Sequence, residues 1–259
     1  MNISLDNRVV LVSGGTQGVG AAVVRAAAEA GASVAFTGRR AHQGEALEKE
    51  LAAEGADVAF FVADVATADA AIGSVTATVD RFGRIDGLVN AAAATSRGTL
   101  LDTTLELLDT HFAVNLRAPF FTMQAAVADM KSRGAPGSIV NIISLSEHGG
   151  QPYLAPYVAS KAGLAGLTRN VAHAHRFDRI RINGLNIGWT QTEGEAQVQK
   201  KFHDADDNWV EHAVAALPMG RLGQPDEIAR MVVFLLSEDS GIVTGSVIDW
   251  DQQVVGAYD

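Results

Sequence analysis

Short runs of β-branched and aliphatic residues alternate along this chain with longer alanine-rich segments, the pattern of parallel strands joined by helices. Val9 to Val12 predicts a first strand, Ala21 to Ala30 a helix ended by Gly31, and Ser33 to Thr37 a second strand. Gly31 suits the position just past a helix, where a left-handed backbone is common. A charged helix over Glu45 to Glu54 is expected to stop at Gly55, with a strand over Val58 to Val62, a helix reaching Phe82 before Gly83, and a strand over Ile85 to Asn90. One longer helical stretch from about Leu105 to Met130 leads to the turn at Gly134 to Gly137 and a strand over Ser138 to Ile143. A helix carrying Tyr157 follows. Arg181 to Leu185 predicts another strand, Asp226 to Leu236 a late helix, and Ser246 to Ile248 a last short strand.

Such alternation predicts an α/β fold: one doubly wound domain over residues 1–259, with a mostly parallel sheet of about seven strands flanked by helices on both faces. Ligands of such sheets bind at the carboxyl ends of the strands. Residues with chemical potential fall there. Ser13 and a glycine cluster follow strand one, Gly38 and Arg39 strand two, Asp64 strand three, Asn90 strand four and Ser144 strand five. The 259 residues are 47% apolar, enough for a sizeable core, and the formal net charge of −10 argues against a generally basic nucleic-acid surface. There are no cysteines, so thiolate catalysis and cysteine-bound zinc are excluded. No linker, repeat, basic-then-apolar leader or run of membrane-spanning length is visible, and a soluble cytoplasmic protein without a membrane partner is expected.

The first turn reads Ser13-Gly14-Gly15-Thr16-Gln17-Gly18-Val19-Gly20 and opens a helix. Glycines there permit tight turning and close backbone approach to a pyrophosphate, whose charge meets the amides of the helix start. The spacing differs from GxGxxG; its place between strand and helix is what points to a dinucleotide.

Tyr157 and Lys161 stand four apart in Tyr-Val-Ala-Ser-Lys, hence on one helical face. A cation beside a phenol favours phenolate, and a base working near neutrality needs about 4 kcal/mol of such stabilisation, which Lys161 and a cationic nicotinamide would supply jointly. Ser144 lies upstream, and Asn115 earlier still in Phe-Ala-Val-Asn-Leu.

With these motifs in order over nearly the full length, the chain resembles the short-chain dehydrogenase/reductase family, with its Rossmann-type sheet. Ser13 to Gly20 matches that family's TGxxxGxG loop, Asp64-Val65 its adenine-side pair, and Asn115, Ser144, Tyr157 and Lys161 its catalytic four. Asn183, Gly188 and Thr192 match the stretch beside the nicotinamide, with Ile187, Asn90, Ala91 and Ala92 also placed against the cofactor. The resemblance implies that Tyr157 exchanges a proton with the substrate oxygen while a hydride passes to or from the nicotinamide ring. Ser144 would bond the same oxygen, Lys161 would hold the ribose, and Asn115 would position a water-linked proton relay.

Thr37-Gly38-Arg39-Arg40 stands where a carboxylate would select NAD. A guanidinium suits a ribose 2′-phosphate instead, so NADP is favoured over NAD, with Gly38 leaving room and Arg39 as the clamp. Three departures from the family pattern are present: Asn90-Ala91-Ala92-Ala93 for NNAG, Ile187-Gly188 for Pro-Gly, and Gln252-Gln253 for Gly-Gly. The segment from about 189 to 217 lies at the family's substrate lid, and its run Asp204-Ala205-Asp206-Asp207 either rejects anionic substrates or is a solvated face. Substrate-facing candidates are Ser146, His148, Tyr153, Trp189 and Trp209, each of which equally suits packing; His203 and His212 do not form a metal pair, and no metal site is expected. Small residues on the Tyr157 helix, including Ala159, Gly163 and Gly166, suit a homo-oligomer, dimer or tetramer, or close packing on its own sheet.

Three functions are open at this stage. The first is an NAD(P)-dependent oxidoreductase of a small carbonyl or secondary alcohol. The second is a 3-oxoacyl reductase whose acidic carrier protein docks on a cluster including Arg169, Arg176, Arg179 and Arg181. The third is a non-catalytic NADP-binding sensor or scaffold.

Overall fold

The computed structural model of the chain describes residues 3–256. Its strands are β1 (Val9–Ser13), β2 (Ser33–Gly38), β3 (Val58–Val62), β4 (Gly87–Asn90), β5 (Gly137–Ile142), β6 (Ile180–Ile187) and β7 (Val247–Trp250). All pair in parallel, in the order β3-β2-β1-β4-β5-β6-β7. The order reverses between β1 and β4, so the connections leave those strands in opposite directions and open a crevice at their carboxyl ends.

The helices are α1 (Gly18–Glu29), α2 (Ala41–Ala53), α3 (Ala68–Phe82), α4 (Leu105–Phe112), α5 (Ala118–Ser132), α6 (Ala155–His175), α7 (Glu193–Phe202), α8 (Trp209–Val214) and α9 (Pro225–Leu236). Alternate side chains of each strand enter opposite layers. Val10, Val12, Val34 and Phe36 pack with Val23 and Val24 of α1 and Val232 and Leu236 of α9. Leu11, Ala35, Leu88 and Ile139 pack on the other face with Val75 of α3 and Met123 and Met130 of α5. Burial on both faces explains why the strands read as apolar runs without alternation. Gly31 and Gly83 end their helices in left-handed conformations, φ 95° and 80°.

The expected helix over 105–130 is interrupted. A π-helical turn at Ala113–Arg117 separates α4 from α5. Such a turn widens the helix by one residue per turn and re-aims a side chain. Here it carries Asn115 inward, where the side chain bonds both backbone groups of Ala94. α2 begins at Ala41, earlier than Glu45. β4 begins at Gly87: the Ile85 amide donates to the Asp129 carboxylate, while Asp86 N donates to Val9 O at 2.8 Å and its carboxylate accepts from the Val9 amide. Among the described residues no helix is long and apolar enough to cross a membrane.

Candidate active site

The turn after β1 is packed backbone against backbone. The amides of Gly14 and Gly15 donate to Thr37 O, at 3.1 and 2.8 Å, and Ala91 N donates to Ser13 O at 2.9 Å. Gly14 has φ 85°, and a methyl there would stand 2.5 Å from Ala92 N; a methyl on Gly20 would stand 2.0 Å from Gly14 O. The first bond of α1 runs from Ala21 N to Gln17 O, so the amides of Gly18, Val19 and Gly20 lack intramolecular partners among the described residues. The Gln17 side chain accepts from Arg40, and Thr192 lies over Gly18. Gly20→Ala is expected to weaken dinucleotide binding about tenfold or more and to lower thermal stability, since backbone must shift to admit the methyl. Fluorescence titration with NADPH and a melting curve check this; unchanged binding would show that the turn does not hold the dinucleotide.

A methyl on Gly38 would meet the Thr16 side chain at 2.4 Å, so the glycine admits Thr16 of the turn. Arg39 is exposed beside it. Asp64, also exposed, accepts from Ala66 N at 3.1 Å, and Val65 is buried near Ala71, Ala118 and Ala92. Asn90 cross-links the interior: it donates to Asn141 Oδ1 at 2.8 Å and accepts from Thr122 Oγ1 at 2.7 Å.

At the carboxyl end of β5, Ser144 Oγ accepts from Ser146 N at 3.2 Å and lies near enough to Tyr157 to act on its pKa. Ser146 donates to Gln151. Burial pushes the Tyr157 phenol above its ordinary pKa; the Ser144 side chain and the Arg97 charge oppose that rise, and Glu195 adds to it. Lys161, one turn along α6, is buried and donates to Ile142 O at 2.8 Å, with Nζ 5.7 Å from the Tyr157 ring centroid. Burial lowers its pKa to about 8. In the protein alone desolvation dominates and Tyr157 is a protonated phenol; the stabilisation of phenolate expected of Lys161 is a joint one with a cationic nicotinamide.

Asn115 braces this arrangement. Its amide donates to Ala94 O and to Ser160 Oγ, both at 3.0 Å, and its oxygen accepts from Ala94 N at 2.8 Å. Ser160 in turn donates to Tyr157 O at 2.7 Å. The Asn115 side chain thus fixes the 94 loop to α6.

The remaining candidates separate. His148 is 3.1 Å from Asp249 Oδ1 and 3.4 Å from the Asn186 amide, within a polar cluster at the ends of β6 and β7. Trp209 is buried with Ala213 and Leu222, so it is core of the 189–217 segment. Its ring lies 6.1 Å from that of Trp189, whose indole donates to Glu195 at 2.8 Å. Tyr153 is 40% exposed and meets the His203 ring edge-on at 5.3 Å. Arg97 and Glu195, which act on Tyr157, were not singled out in the sequence; no motif marks them, and only folding brings them to α6. Among the described residues no three His, Asp or Glu side chains group to hold a metal. A cavity of about 160 Å³ lies at the opposite, amino ends of the strands; its Arg8–Glu238 pair and Arg181, bonded to the last carbonyls of α9, are structural.

A family model described as enoyl-(acyl carrier protein) reductase matches residues 14–252. The chain belongs to the short-chain dehydrogenase/reductase family. It is 36% identical over 249 residues to an A-factor type gamma-butyrolactone 1′-reductase of Streptomyces virginiae, covering 94% of each chain. Gluconate 5-dehydrogenase of Gluconobacter oxydans is 33% identical, over 95% of this chain and 93% of that one. Among solved structures, an actinorhodin polyketide ketoreductase with NADPH superposes with a TM-score of 0.90 at 29% identity, covering 97% of each chain. A short-chain dehydrogenase/reductase from Serratia marcescens gives 0.86 at 32%, covering 96% of this chain and 98% of that one.

Members of this short-chain dehydrogenase/reductase family are oxidoreductases that bind nicotinamide cofactors, and the crevice fits one. The cradle at Gly14 and Gly20, the three free amides of α1, and two buried oxygens without partners, Thr37 Oγ1 and Asn186 Oδ1, lie at the carboxyl ends of the strands. The departures from the family pattern have local roles. Ala91 and Ala92 seat the glycine turn, and Ala93 is exposed. Ile187 packs on the first core layer, where it pairs with Trp250. Gln252 accepts from Met219 N at 2.8 Å and donates to Arg221 O at 2.9 Å, tying the end of the 189–217 segment to the residues after β7.

Proposed function

We propose that the chain is a carbonyl reductase or secondary-alcohol dehydrogenase in which Tyr157 is the general acid and base. The observation that carries this reading is the meeting of Tyr157, Ser144 and Lys161 at the carboxyl end of β5, with a phenol that burial keeps protonated. A bound nicotinamide supplies or accepts the hydride. Tyr157 donates its proton to the substrate oxygen in reduction, Ser144 hydrogen-bonds that oxygen, and Lys161 holds the cofactor ribose and contributes positive charge. The glycine turn and the start of α1 hold the pyrophosphate, with Ile187, Gly188 and Thr192 beside the nicotinamide. Turnover of NADPH or NADH with a panel of ketones tests this; cofactor binding with no turnover of any ketone would favour a sensor.

NADP is the preferred cofactor in this reading, because two guanidinium groups follow β2 where a carboxylate would repel a 2′-phosphate. Arg40 is engaged with Gln17, which leaves Arg39 as the clamp. Arg39→Asp is expected to weaken NADPH binding about tenfold or more and to bring NADH affinity to or above it. If NADH binds the unaltered protein more tightly and the substitution leaves that order intact, the assignment is wrong.

Residues 1–259 act in this reading as one domain, with the 189–217 segment as a lid over a small-molecule site. A separate apolar cluster of Trp209, Ala213 and Leu222 supports it, since the segment packs within itself. Self-association is supported by exposed Leu105, Phe112 and Phe120 on α4 and α5 and by the open surface at Gly166. A carrier-bound acyl substrate has less support: Arg181 is spent on α9 carbonyls and Arg179 on Gly134 O, so the four arginines do not form one free docking face.

A further inference from the structure

Arg97 stands in the loop after β4, between Tyr157 and the far end of α7. Its Nη1 donates to Thr95 O at 2.8 Å. The guanidinium lies 5.7 Å from the Tyr153 ring centroid and 6.0 Å from that of Phe202. Its Nε and Nη2 are each 3.4 Å from His203 Nε2, at the limit of hydrogen-bond range. Among the described residues no carboxylate lies within ion-pairing distance of it. Of the five N–H groups, one is held by Thr95 O, two reach His203 only at 3.4 Å and two are unclaimed, and a part-buried guanidinium so placed on aromatic faces is a fork that matches a carboxylate. The carboxyl end of α7 offers only a partial dipole charge in its place.

The neighbouring acids leave it free. Asp207 pairs with Lys200 at 2.6 Å, and Asp206 accepts from Asn208 N at 2.9 Å. Glu195 binds the Trp189 indole and the Gln199 amide. Glu195 lies seven residues before Phe202 on α7, about 10 Å along the axis. The negative and positive charges that act on Tyr157 are therefore set apart along α7.

We propose that Arg97 determines specificity for ketones, and the alcohols derived from them, that carry a carboxylate remote from the reacting carbonyl. The carboxylate sits on the guanidinium and the carbon skeleton lies against Tyr153 and Phe202. This rests on the reading of Tyr157 as the proton donor to the same substrate.

The test uses two matched pairs, para-acetylbenzoate with para-acetylbenzamide and laevulinate with its amide, in the full chain with NADPH. The ratio of kcat/KM for acid over amide is expected to be about tenfold or more in at least one pair, to fall to about one in Arg97→Gln, and to be partly kept in Arg97→Lys. A ratio near one in the unaltered protein, or one that Arg97→Gln leaves intact, overturns the proposal. Binding of the same probes, followed by tryptophan fluorescence, separates the two readings. If nothing is reduced, the proposed reaction fails; acid binding about tenfold tighter than amide, lost in Arg97→Gln, still supports the anion site, and equal binding overturns it.

Discussion

Replacing Tyr157 with Phe is expected to lower kcat for carbonyl reduction by about 10²- to 10⁴-fold while changing NADPH affinity by less than about threefold. The substitution removes one oxygen and leaves the ring. That ring meets the edge of buried His111 at a centroid distance of 6.2 Å and faces Lys161 Nζ at 5.7 Å, contacts a phenyl group keeps. Its backbone oxygen still accepts from Ser160, so the brace through Asn115 to the 94 loop persists. What is lost is the proton that burial holds on the phenol at neutral pH. Because that pKa is raised, reduction by the unaltered protein is expected to hold steady through neutral pH and to fall only on the alkaline side; alcohol oxidation, which needs the phenolate, rises with pH. Steady-state NADPH oxidation and NADPH fluorescence titration measure the two effects separately. More than about a tenth of the activity surviving in Tyr157→Phe would show that another group delivers the proton.

The parts of this molecule legible in the sequence are those set by neighbours along the chain. β1 reads as an apolar run because both faces are covered, and Gly31 and Gly83 mark helix ends because few other residues adopt their backbone angles readily. The parallel sheet of seven strands followed from that rhythm, whereas the order of its strands is seen only in the fold. The π-helical turn did not, since its cause is a pair of bonds from Asn115 to Ala94, twenty-one residues away in sequence. Trp209 and Trp189 look alike as isolated aromatics; only packing shows one as core of its segment and the other at its edge. The contact of Gly38 with Thr16 is likewise seen only in the fold. The balance of charge on Tyr157 was least legible. Arg97 and Glu195 lie on segments joined to α6 only by the folded sheet, and the effect of Lys161 depends on a burial that spacing does not report.

Lys161→Met is the second large effect, and it divides function from stability. Activity should fall about a hundredfold or more, because the buried ammonium beside Tyr157 and the group proposed to hold the ribose are both removed. Stability should move the other way at neutral pH. Folding lowers the lysine pKa from 10.5 to about 8. Between those values the unfolded chain binds more protons than the folded one, so stability rises with pH across that window; below about pH 8 the buried charge costs on the order of 3 kcal/mol. Methionine fills a similar volume without the charge but leaves Ile142 O without its donor, a loss of about 1–3 kcal/mol. The variant is therefore expected to be equal to or more stable than the unaltered protein by about 1–2 kcal/mol at pH 7. That advantage should shrink and reverse as pH rises from about 8 to 10.5, because the native lysine then becomes neutral and keeps its hydrogen bond. Denaturant unfolding of both proteins at the two ends of this window provides the measurement, and groups common to both cancel in the difference. A gap independent of pH would mean that Lys161 is not held as a costly charge at neutral pH. Its role would then lie in the proposed hold on the ribose, with Arg97 as the positive charge that acts on Tyr157.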